Sequence, residues 1–533
     1  MWVLLLLWPV WLLGGSWADE VFHSMTLEEK IGQLFMIPAC PKRGEDHWDD
    51  WTRLMEEFHI GNAIVKQGDP PSQVDFLNRL QAKAQVPLLV GGDTEWGLAM
   101  RMEETIAFPR QMTLGAVADL GAIYEMGKEV GREAKLVGIH ICFAPVADVN
   151  NNPENPIIHM RSFGEDPKEV AARVSAYARG LADSGVMACA KHFPGHGDTS
   201  IDSHLSLPAI NQCRCRLETV EFVPFRQALQ EGIGAVMSAH LLVPSLDPVY
   251  PASLSRPILT EILREEWGFQ GLIISDGLNM KGIADLFSPE EIAILSRKAG
   301  TDLLLFGDHI NPKVDFLMRE QIPRACRALK KAYLSGELDL PSLDASVLRI
   351  LQAKEALGLH QAAPLEKKEV SSPEALELKK RLFKEAVTQI GKEPILQEGA
   401  AYLNIGKEDA MGQNFTHRFD VPLNLDAIQR ASLEIKLQSF GQVVIAIHQA
   451  NLLKEKFGFS HELLELVHSL SHKSILCLFA TPYALQVFQN IDSILVAYEN
   501  DRDAQEAAYQ ILKWGEPPRG RLPVLRYLME SRD

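Results

Sequence analysis

One stretch of the chain concentrates side chains that can transfer protons. Residues 191–208 read KHFPGHGDTSIDSHLSLP and hold one lysine, three histidines and two aspartates. Pro194, Gly195 and Gly197 exclude a regular helix or a central strand, so these groups are expected on a loop. The preceding run VMACA is typical of a strand buried on both faces. The loop is therefore predicted to leave the carboxyl end of a core strand, where α/β proteins place their chemistry.

Three interpretations of this loop are open from its residues. His192 and His196 have the i, i+4 spacing of a helical metal pair, but Pro194 interrupts the helix that such a pair needs, which disfavours a metal site. A solvated loop with incidental histidines is the plain alternative. Asp202 and His204 flank a single serine, and a carboxylate beside an imidazole stabilises the protonated ring. That pair favours the interpretation of the loop as the carrier of a general acid/base, and no metal site is predicted.

The elements that must position this loop recur along the chain. Helix-like segments separate most of the apolar runs; residues 167–185, for example, have an apolar face and end at a glycine. Eight such units favour a (β/α)8 barrel over an open doubly wound sheet. The candidate strands begin near Ile31, Asn62, Val86, Ile139, Val186, Gly234, Gly271 and Thr301.

Polar side chains stand at the carboxyl ends of six of these strands, which meet at one rim of a barrel. Singly they have plainer explanations: Asp148 and Asp308 are equally consistent with turns, and His240 with a hydrogen-bonded core histidine. Together they predict a site. The groups are Asp93, Asp148, Lys191 with His192, His240, Asp276 and Asp308.

A second domain is predicted after a charged segment that starts near Glu366. Apolar runs again alternate with helical segments, which indicates a smaller α/β sandwich with a parallel sheet. The predicted boundaries are 19–365 for the barrel, 366–385 for the linker and connecting helix, and 386–533 for the sandwich. No catalytic group is predicted in the second domain, where Glu499 and Asp501 are interpreted as solvated loop charges.

The first residues and the composition restrict the setting. Residues 1–18 are uncharged and apolar and end on Ser16 and Ala18, which predicts a signal peptide, with an uncleaved anchor as the alternative. The formal charge of -17 argues against nucleic acid or anionic lipid as partners.

The seven cysteines are scattered and imply no disulfide framework. Cys213 and Cys215 are expected to be too close for an ordinary bridge.

Three motifs carry a resemblance to a known family. KHFPGHGDTSIDSH, RSFGEDP from Arg161 and IISDGLNMKGI from Ile273 resemble the family 3 glycoside hydrolases, in particular the bacterial exo-acting β-N-acetylglucosaminidases of cell-wall turnover. The resemblance extends from about Thr26 to about His360. The segment from Ala497 also resembles the end of the second domain in two-domain members.

The resemblance implies roles for individual residues. Asp276 would be the nucleophile, and His204, partnered by Asp202, would be the acid/base. The groups that hold the terminal sugar would be Asp93, Arg101, Arg161, Lys191 and His192. The chain departs from the family pattern at DTEWG, where Trp96 replaces a glycine.

The implied activity is that of a β-N-acetylhexosaminidase, a retaining exo-hydrolase that releases terminal β-linked N-acetylglucosamine from peptidoglycan fragments without a cofactor or metal. A monomer, exported to the periplasm or beyond and not inserted in the membrane as a mature chain, is expected. The alternatives are a β-glucosidase or β-xylosidase and an N-acetylglucosaminide phosphorylase on the same fold. A non-catalytic sugar-binding protein is the alternative from another class.

Overall fold

The chain folds around two separate β-sheets. A computed structural model describes residues 15–201, 206–307, 313–406, 409–488 and 490–524. The first sheet has eight strands, and all its neighbouring strands pair in parallel. Its strands are β1 Phe35–Ala39, β2 Asn62–Val65, β3 Leu89–Gly92, β4 Ile141–Cys142, β5 Met187–Phe193, β6 Ala235–Ser238, β7 Leu272–Ser275 and β8 Leu304–Leu305.

The eight strands close into a barrel. Their order is β7-β6-β5-β4-β3-β2-β1-β8, so that β8 returns to pair with β1. Ile274 in β7 bridges Leu303, which lies directly before β8. The Ser275 side chain also accepts the Leu305 N–H at 2.9 Å. The prediction of a (β/α)8 barrel is confirmed.

Helices follow most of the strands and cover the outside of the barrel. They are α1 Trp17–Ser24, α2 Leu27–Gly32, α3 Glu45–Phe58, α4 Pro70–Lys83, α5 Gln111–Gly115, α6 Leu120–Leu136, α7 Pro167–Asp183, α8 Arg214–Thr219, α9 Phe222–Gln230, α10 Lys281–Ala284, α11 Pro289–Ala299, α12 Val314–Phe316, α13 Ile322–Ser335 and α14 Leu340–Ala356. Two further segments have wider, π-type turns: Pro257–Glu266 between β6 and β7, and Leu317–Gln321 between α12 and α13.

Helix α7 shows why such segments form where they do. The Asp166 side chain accepts the N–H groups of Lys168 and Glu169, and a proline occupies the first turn, where no N–H is needed. The apolar side of the helix packs against the barrel and α6. The helix stops before Gly185, whose φ of +86° favours glycine. The helix predicted over 167–185 is confirmed.

Most barrel strands are shorter than the apolar runs predicted, and two examples show why. The run from Ile31 first completes α2, and only its second half is β1. The run from Ile139 contributes two residues to β4. Regular pairing ends at Cys142, three residues before Pro145, which has no N–H to donate, although Val146 still bridges Lys191.

The second sheet has six strands. They are β9 Thr388–Gly391, β10 Ala401–Ile405, β11 His417–Val421, β12 Val443–Ile447, β13 Ser474–Leu478 and β14 Ser493–Val496. Their order in the sheet is β11-β10-β12-β13-β14-β9. Five run parallel, but β9 pairs with β14 in the antiparallel sense, so the sheet is mixed rather than parallel as predicted. Antiparallel edge strands are common on such sheets.

Helices cover the second sheet, as expected for a sandwich. They are α15 Pro373–Ala386, α16 Ala427–Leu437, α17 His461–Ser469 and α18 Arg502–Trp514. On one face, Phe383 of α15 and Ile511 of α18 pack against Val444 and Leu495. The predicted fold class, a barrel followed by an α/β sandwich, is confirmed, whereas the domain boundaries stay a prediction.

Most of the predicted leader, residues 1–14, lies outside the described residues. Ser16 caps α1, Ala18 is buried, and the Trp17 ring stacks on His360 with 5.4 Å between centroids. Across the part of the chain that the structure describes, we find no helix with the length and apolar character needed to cross a membrane.

One expectation about the cysteines is wrong. Cys213 and Cys215 are joined by a disulfide, with their Cα atoms 5.4 Å apart. Arg214, which lies between them, is the first residue of α8, and its helical backbone gives a Cα separation in the usual range for a disulfide. The remaining cysteines are reduced and buried: Cys40, Cys142, Cys189, Cys326 and Cys477.

Candidate active site

The carboxyl ends of the barrel strands surround a cavity of about 230 Å³. Six residues predicted for the site line it: Asp93, Arg101, Arg161, Lys191, His192 and Asp276. Asp202 and His204, the predicted acid/base pair, lie outside the described residues, as does Asp308. Strands β3, β5 and β7 thus bring together side chains that are far apart along the chain.

Asp93, after β3, is surrounded by cations. Its Oδ2 accepts from Nη2 of Arg101 at 2.6 Å, and its Oδ1 from Nζ of Lys191 at 3.2 Å. Lys66, which follows β2, lies 4.0 Å away. Burial alone raises the pKa of Asp93, but Arg101, Lys191 and Lys66 outweigh it and hold the pKa well below its usual range. Asp93 is therefore a permanent acceptor at the cavity wall.

Arg161 and Lys191 share a second carboxylate. The guanidinium of Arg161 binds Glu95 through two bonds of 2.9 and 2.7 Å, and Lys191 lies 2.8 Å from Glu95 Oε1. Burial opposes ionisation of Glu95, but Arg161 and Lys191 overcome it, and the net pKa of Glu95 is lowered. The two cations of the site are thus fixed in position and remain charged.

His192 is oriented by a buried carboxylate that follows β4. Asp148 Oδ2 lies 2.7 Å from Nδ1 of His192, and Asp148 also accepts the N–H groups of His192 and His196. Burial raises the pKa of Asp148, but the two histidines lower it overall. Nε2 of His192 lies 3.3 Å from Nη2 of Arg161. Asp148 therefore orients His192, a side chain of the cavity wall, and is more than a turn residue.

His196 is held in the same network. Its Nδ1 lies 2.9 Å from Thr199 Oγ1, and burial, which outweighs the nearby Asp148, lowers the pKa of His196 to about 4. The ring therefore stays neutral near pH 7. Its Nε2 is buried without a hydrogen-bond partner among the described residues. No group of three or more side chains that could hold a metal ion occurs in the described ranges.

Asp276 follows β7 directly. Its Oδ1 accepts the N–H of Gly277 at 2.7 Å, which orients the carboxylate. His240, at the end of β6, is fully buried and bonds Ser253 through Nδ1 and the carbonyl of Gly277 through Nε2. The interpretation of His240 as a hydrogen-bonded core histidine is confirmed, and the residue supports the segment that carries Asp276.

The start of the polar loop is anchored to the segment after β4. Asn155 donates to the carbonyl groups of His196 and Gly197 at 2.8 and 3.0 Å. A Cβ at Gly197 would lie 1.7 Å from the carbonyl oxygen of Val149. Only glycine allows this close approach.

Comparisons with known proteins identify the family of this chain. The family model for the glycosyl hydrolase family 3 N-terminal domain matches residues 26–353. The chain belongs to glycoside hydrolase family 3. The family predicted from the three motifs is thereby confirmed.

The relatives of this family 3 chain carry related names. Beta-hexosaminidase A of Pseudoalteromonas piscicida is 31% identical over 371 residues, which span 65% of this chain and 62% of that protein. A Cellulomonas fimi protein named beta-N-acetylglucosaminidase/beta-glucosidase is 29% identical, over 66% of this chain and 61% of that protein. The chain thus spans less than two thirds of the length of these two relatives.

A solved structure matches both domains of the family 3 chain. It is a family 3 beta-N-acetylglucosaminidase from Paenibacillus sp. str. FPU-7, with a TM-score of 0.81 and 29% identity. The match covers 94% of this chain and 99% of that chain.

The cavity also has an apolar side, which sequence reasoning missed apart from Trp96. The Trp96 ring lines the cavity and is covered by the Arg110 guanidinium, 4.9 Å from the ring centroid. Gly97 takes the sharp turn that follows, with a φ of +88°. The tryptophan that departs from the family pattern therefore lies at the site itself. Other apolar lining residues are Ile64, Met100, Ile157, Met237, Met280 and Leu305.

Lys66 lines the cavity, and Glu95 is buried beside it against Arg161 and Lys191; neither was assigned a role from the sequence. Lys66 directly follows β2 and Glu95 comes shortly after β3, so their position near strand ends was the available signal. Their partners lie on other strands, which the sequence does not reveal.

A larger cavity, of about 410 Å³, lies at the opposite end of the barrel. It is lined by residues that precede β1, β2 and β3, and its Lys83 pairs with Glu56 at 2.7 Å. Barrel enzymes use the other face, so we do not assign catalysis to this cavity.

Proposed function

We propose that this chain is a β-N-acetylglucosaminidase that removes non-reducing terminal β-linked N-acetylglucosamine. One observation carries the proposal: Asp276 lies on the wall of a small cavity in which Asp93, Arg161 and Lys191 are ionised and fixed in position. The volume is below the about 300–1,000 Å³ of typical ligand sites, which suits a single sugar ring and hence an exo-acting enzyme. The names of the relatives support the N-acetylated sugar.

In the proposed mechanism, Asp276 is the nucleophile. Its carboxylate attacks the anomeric carbon while the glycosidic C–O bond breaks, and His204 protonates the departing oxygen. Asp202 stabilises the imidazolium before this transfer. His204 then removes a proton from water, which attacks the anomeric carbon and releases Asp276. Two inversions leave the sugar with its original β configuration.

The remaining polar groups are proposed to bind the sugar. Asp93 offers acceptor oxygens to ring hydroxyl groups, whereas Lys191 and Arg161 offer donors. Because these three are bound to one another or to Glu95, they are positioned before the sugar arrives. Prior positioning reduces the entropy cost of binding. Trp96 offers an apolar surface on the same cavity.

The substrate and the compartment are part of the proposal. Peptidoglycan fragments fit an exo-acting site of this size, and the apolar first residues fit export. A monomer that needs no cofactor is proposed. Because the Cellulomonas relative is also named a beta-glucosidase, hydrolysis of unsubstituted β-glucosides is the second candidate activity.

The test measures release of nitrophenol from the β-N-acetylglucosaminide and from the β-glucoside. We expect the wild type to prefer the acetylated substrate and Asp276→Ala to lose at least about 10³-fold in kcat. Asp75→Ala serves as the control, since this exposed carboxylate of α4 pairs with Lys367 on the outside of the barrel. Preference for the glucoside, or an active Asp276→Ala variant, would contradict the proposal.

Two further measurements address the mechanism and the phosphorylase and binding-protein hypotheses. NMR of the first-formed sugar should show the β anomer, because the reaction retains configuration. Mass spectrometry after reaction with a fluorinated glycoside should place the label on Asp276. Formation of a sugar phosphate on addition of inorganic phosphate would identify a phosphorylase instead, and sugar binding without turnover would identify a binding protein.

A further inference from the structure

The second domain contacts the segment that carries Arg161. Thr481 precedes a 3-10 turn, Pro482–Val487, that faces the barrel. Thr481 Oγ1 lies 2.9 Å from Nε2 of His159, and the Tyr483 hydroxyl lies 2.7 Å from the donating Nδ2 of Asn150. These bonds join positions more than 300 residues apart in the chain.

His159 and Arg161 belong to one tight turn, His159–Arg161. His159 has a φ of +36°, in the left-handed region that non-glycine residues rarely occupy. Such a conformation persists when its surroundings hold it in place. Here the side chain of Asn150 accepts the His159 N–H at 2.9 Å, and the Tyr483 ring packs against the imidazole with 5.3 Å between centroids.

The contacts form a short path from the second domain to the cavity. Tyr483 binds Asn150 and His159, and both of these hold the turn that ends at Arg161. Arg161 then binds Glu95 and lines the cavity. His159 is kept neutral, because burial and then Arg110 lower its pKa to about 4, so the bond to Thr481 does not depend on pH near neutrality.

A second contact reaches the other side of the same region. Glu499 accepts the Arg110 N–H at 2.8 Å and the Thr113 hydroxyl at 2.5 Å. The interpretation of Glu499 as a solvated charge is therefore wrong, because the barrel supplies partners that the local sequence does not show. Asp501 caps α18 and lies 2.9 Å from Lys379. The side chain of Arg110 in turn covers Trp96 at the cavity.

We infer that Thr481 and Tyr483 are positioning residues of the sugar site: they hold the turn that presents Arg161, so that the second domain sets the affinity of the barrel for its sugar. This inference rests on the proposed function and deepens it. The second domain thus acts on substrate binding through Asn150 and His159, without contributing a catalytic group.

The first test removes single hydroxyl groups. Tyr483→Phe and Thr481→Val should each raise KM for the aryl N-acetylglucosaminide by up to about tenfold while kcat stays within about twofold, because a bond used in binding alone is weakened. Tyr402→Phe is the matched control, since this buried hydroxyl binds Asp409 within the second domain. Unchanged KM in both variants would overturn the inference and leave the proposed function standing.

A double-mutant cycle tests the route through Arg161. In an Arg161→Lys background, Tyr483→Phe should have little further effect on KM, because the group that it positions is already altered. Equal effects of Tyr483→Phe in both backgrounds would overturn the inference, since the hydroxyl would then act elsewhere.

Hydrogen exchange provides a readout that does not need turnover. Amides of residues 157–163 should exchange faster in Tyr483→Phe and Thr481→Val than in the wild type or Tyr402→Phe. Unchanged exchange in this segment would contradict the inference whatever the substrate. If the wild type hydrolyses no N-acetylglucosaminide but the two variants still show faster exchange in this segment, the proposed function alone is contradicted.

Discussion

Asp148 Oδ2 lies 2.7 Å from Nδ1 of His192, and both side chains are buried at the cavity. Because Asp148 is ionised, it accepts a hydrogen bond from Nδ1, and the other nitrogen of His192 faces the Arg161 guanidinium. One carboxylate after β4 therefore determines how a histidine of β5 is presented to the cavity.

Asp148→Asn should preserve the packing but weaken the orientation of the His192 ring. The amide is neutral and can turn its NH₂ group toward the ring, which destabilises the present tautomer of His192. We expect kcat/KM to fall by about 10–100-fold, because this factor corresponds to the free energy that a hydrogen bond to a charged group typically contributes. Steady-state kinetics measure the loss, and a value within about twofold of the wild type would show that Asp148 serves only the loop backbone.

Glu95→Gln should destabilise the barrel. Glu95 is almost completely buried and neutralises Lys191 and Arg161, so the substitution leaves buried cations with one negative charge too few. Breaking such a pair typically costs about 3–5 kcal/mol. Urea unfolding followed by tryptophan fluorescence should detect the change, with Glu261→Gln as an exposed control that also pairs with an arginine. Equal unfolding midpoints for the two variants would contradict the expectation.

Glu133 of α6 should make stability depend on pH. Both carboxylate oxygens are buried without a hydrogen-bond partner among the described residues, and burial, followed by the charge of Glu129, raises the pKa of Glu133 from 4.5 to about 8. Between these values the unfolded chain loses the proton and the folded chain keeps it. The free energy of unfolding therefore falls as pH rises through this range, by at most about 1.4 kcal/mol per pH unit.

Glu133→Gln should remove this dependence. Melting temperatures measured at pH 5 and pH 8 should differ less in the variant than in the wild type, whereas Glu57→Gln, an exposed control, should keep the wild-type difference. Identical pH profiles for the wild type and Glu133→Gln would show that Glu133 ionises normally.

Gly197→Ala should disable the loop that leads to Asp202 and His204. The added Cβ would lie 1.7 Å from the Val149 carbonyl oxygen, and this backbone atom cannot move aside as the end of a flexible side chain can. A displacement of about 1 Å near an active site can cost about 10²-fold in rate. Gly441→Ala is the control, since its nearest neighbour would be 3.8 Å away. Normal activity of Gly197→Ala would contradict the proposed role of this loop.

Much of the architecture was predictable because it depends on local pattern. Buried parallel strands are short apolar runs, helices have an apolar face and caps, and glycine or proline marks the turns between them. The polar ends of β3, β5 and β7 were visible for the same reason. Local pattern missed the polar edge strand β11, whose residues are largely exposed, and the short edge strand β9, which is antiparallel to its neighbour.

Residue type and spacing were enough to predict the succession of barrel strands and helices, the family motifs and the residues available for chemistry. Which charged groups meet depends on the folded structure. Lys66 reaches Asp93, Asp148 orients His192, and Tyr483 reaches Asn150 because barrel closure and domain packing bring distant segments within hydrogen-bond distance. Such contacts depend on three-dimensional distance, which residue order does not contain.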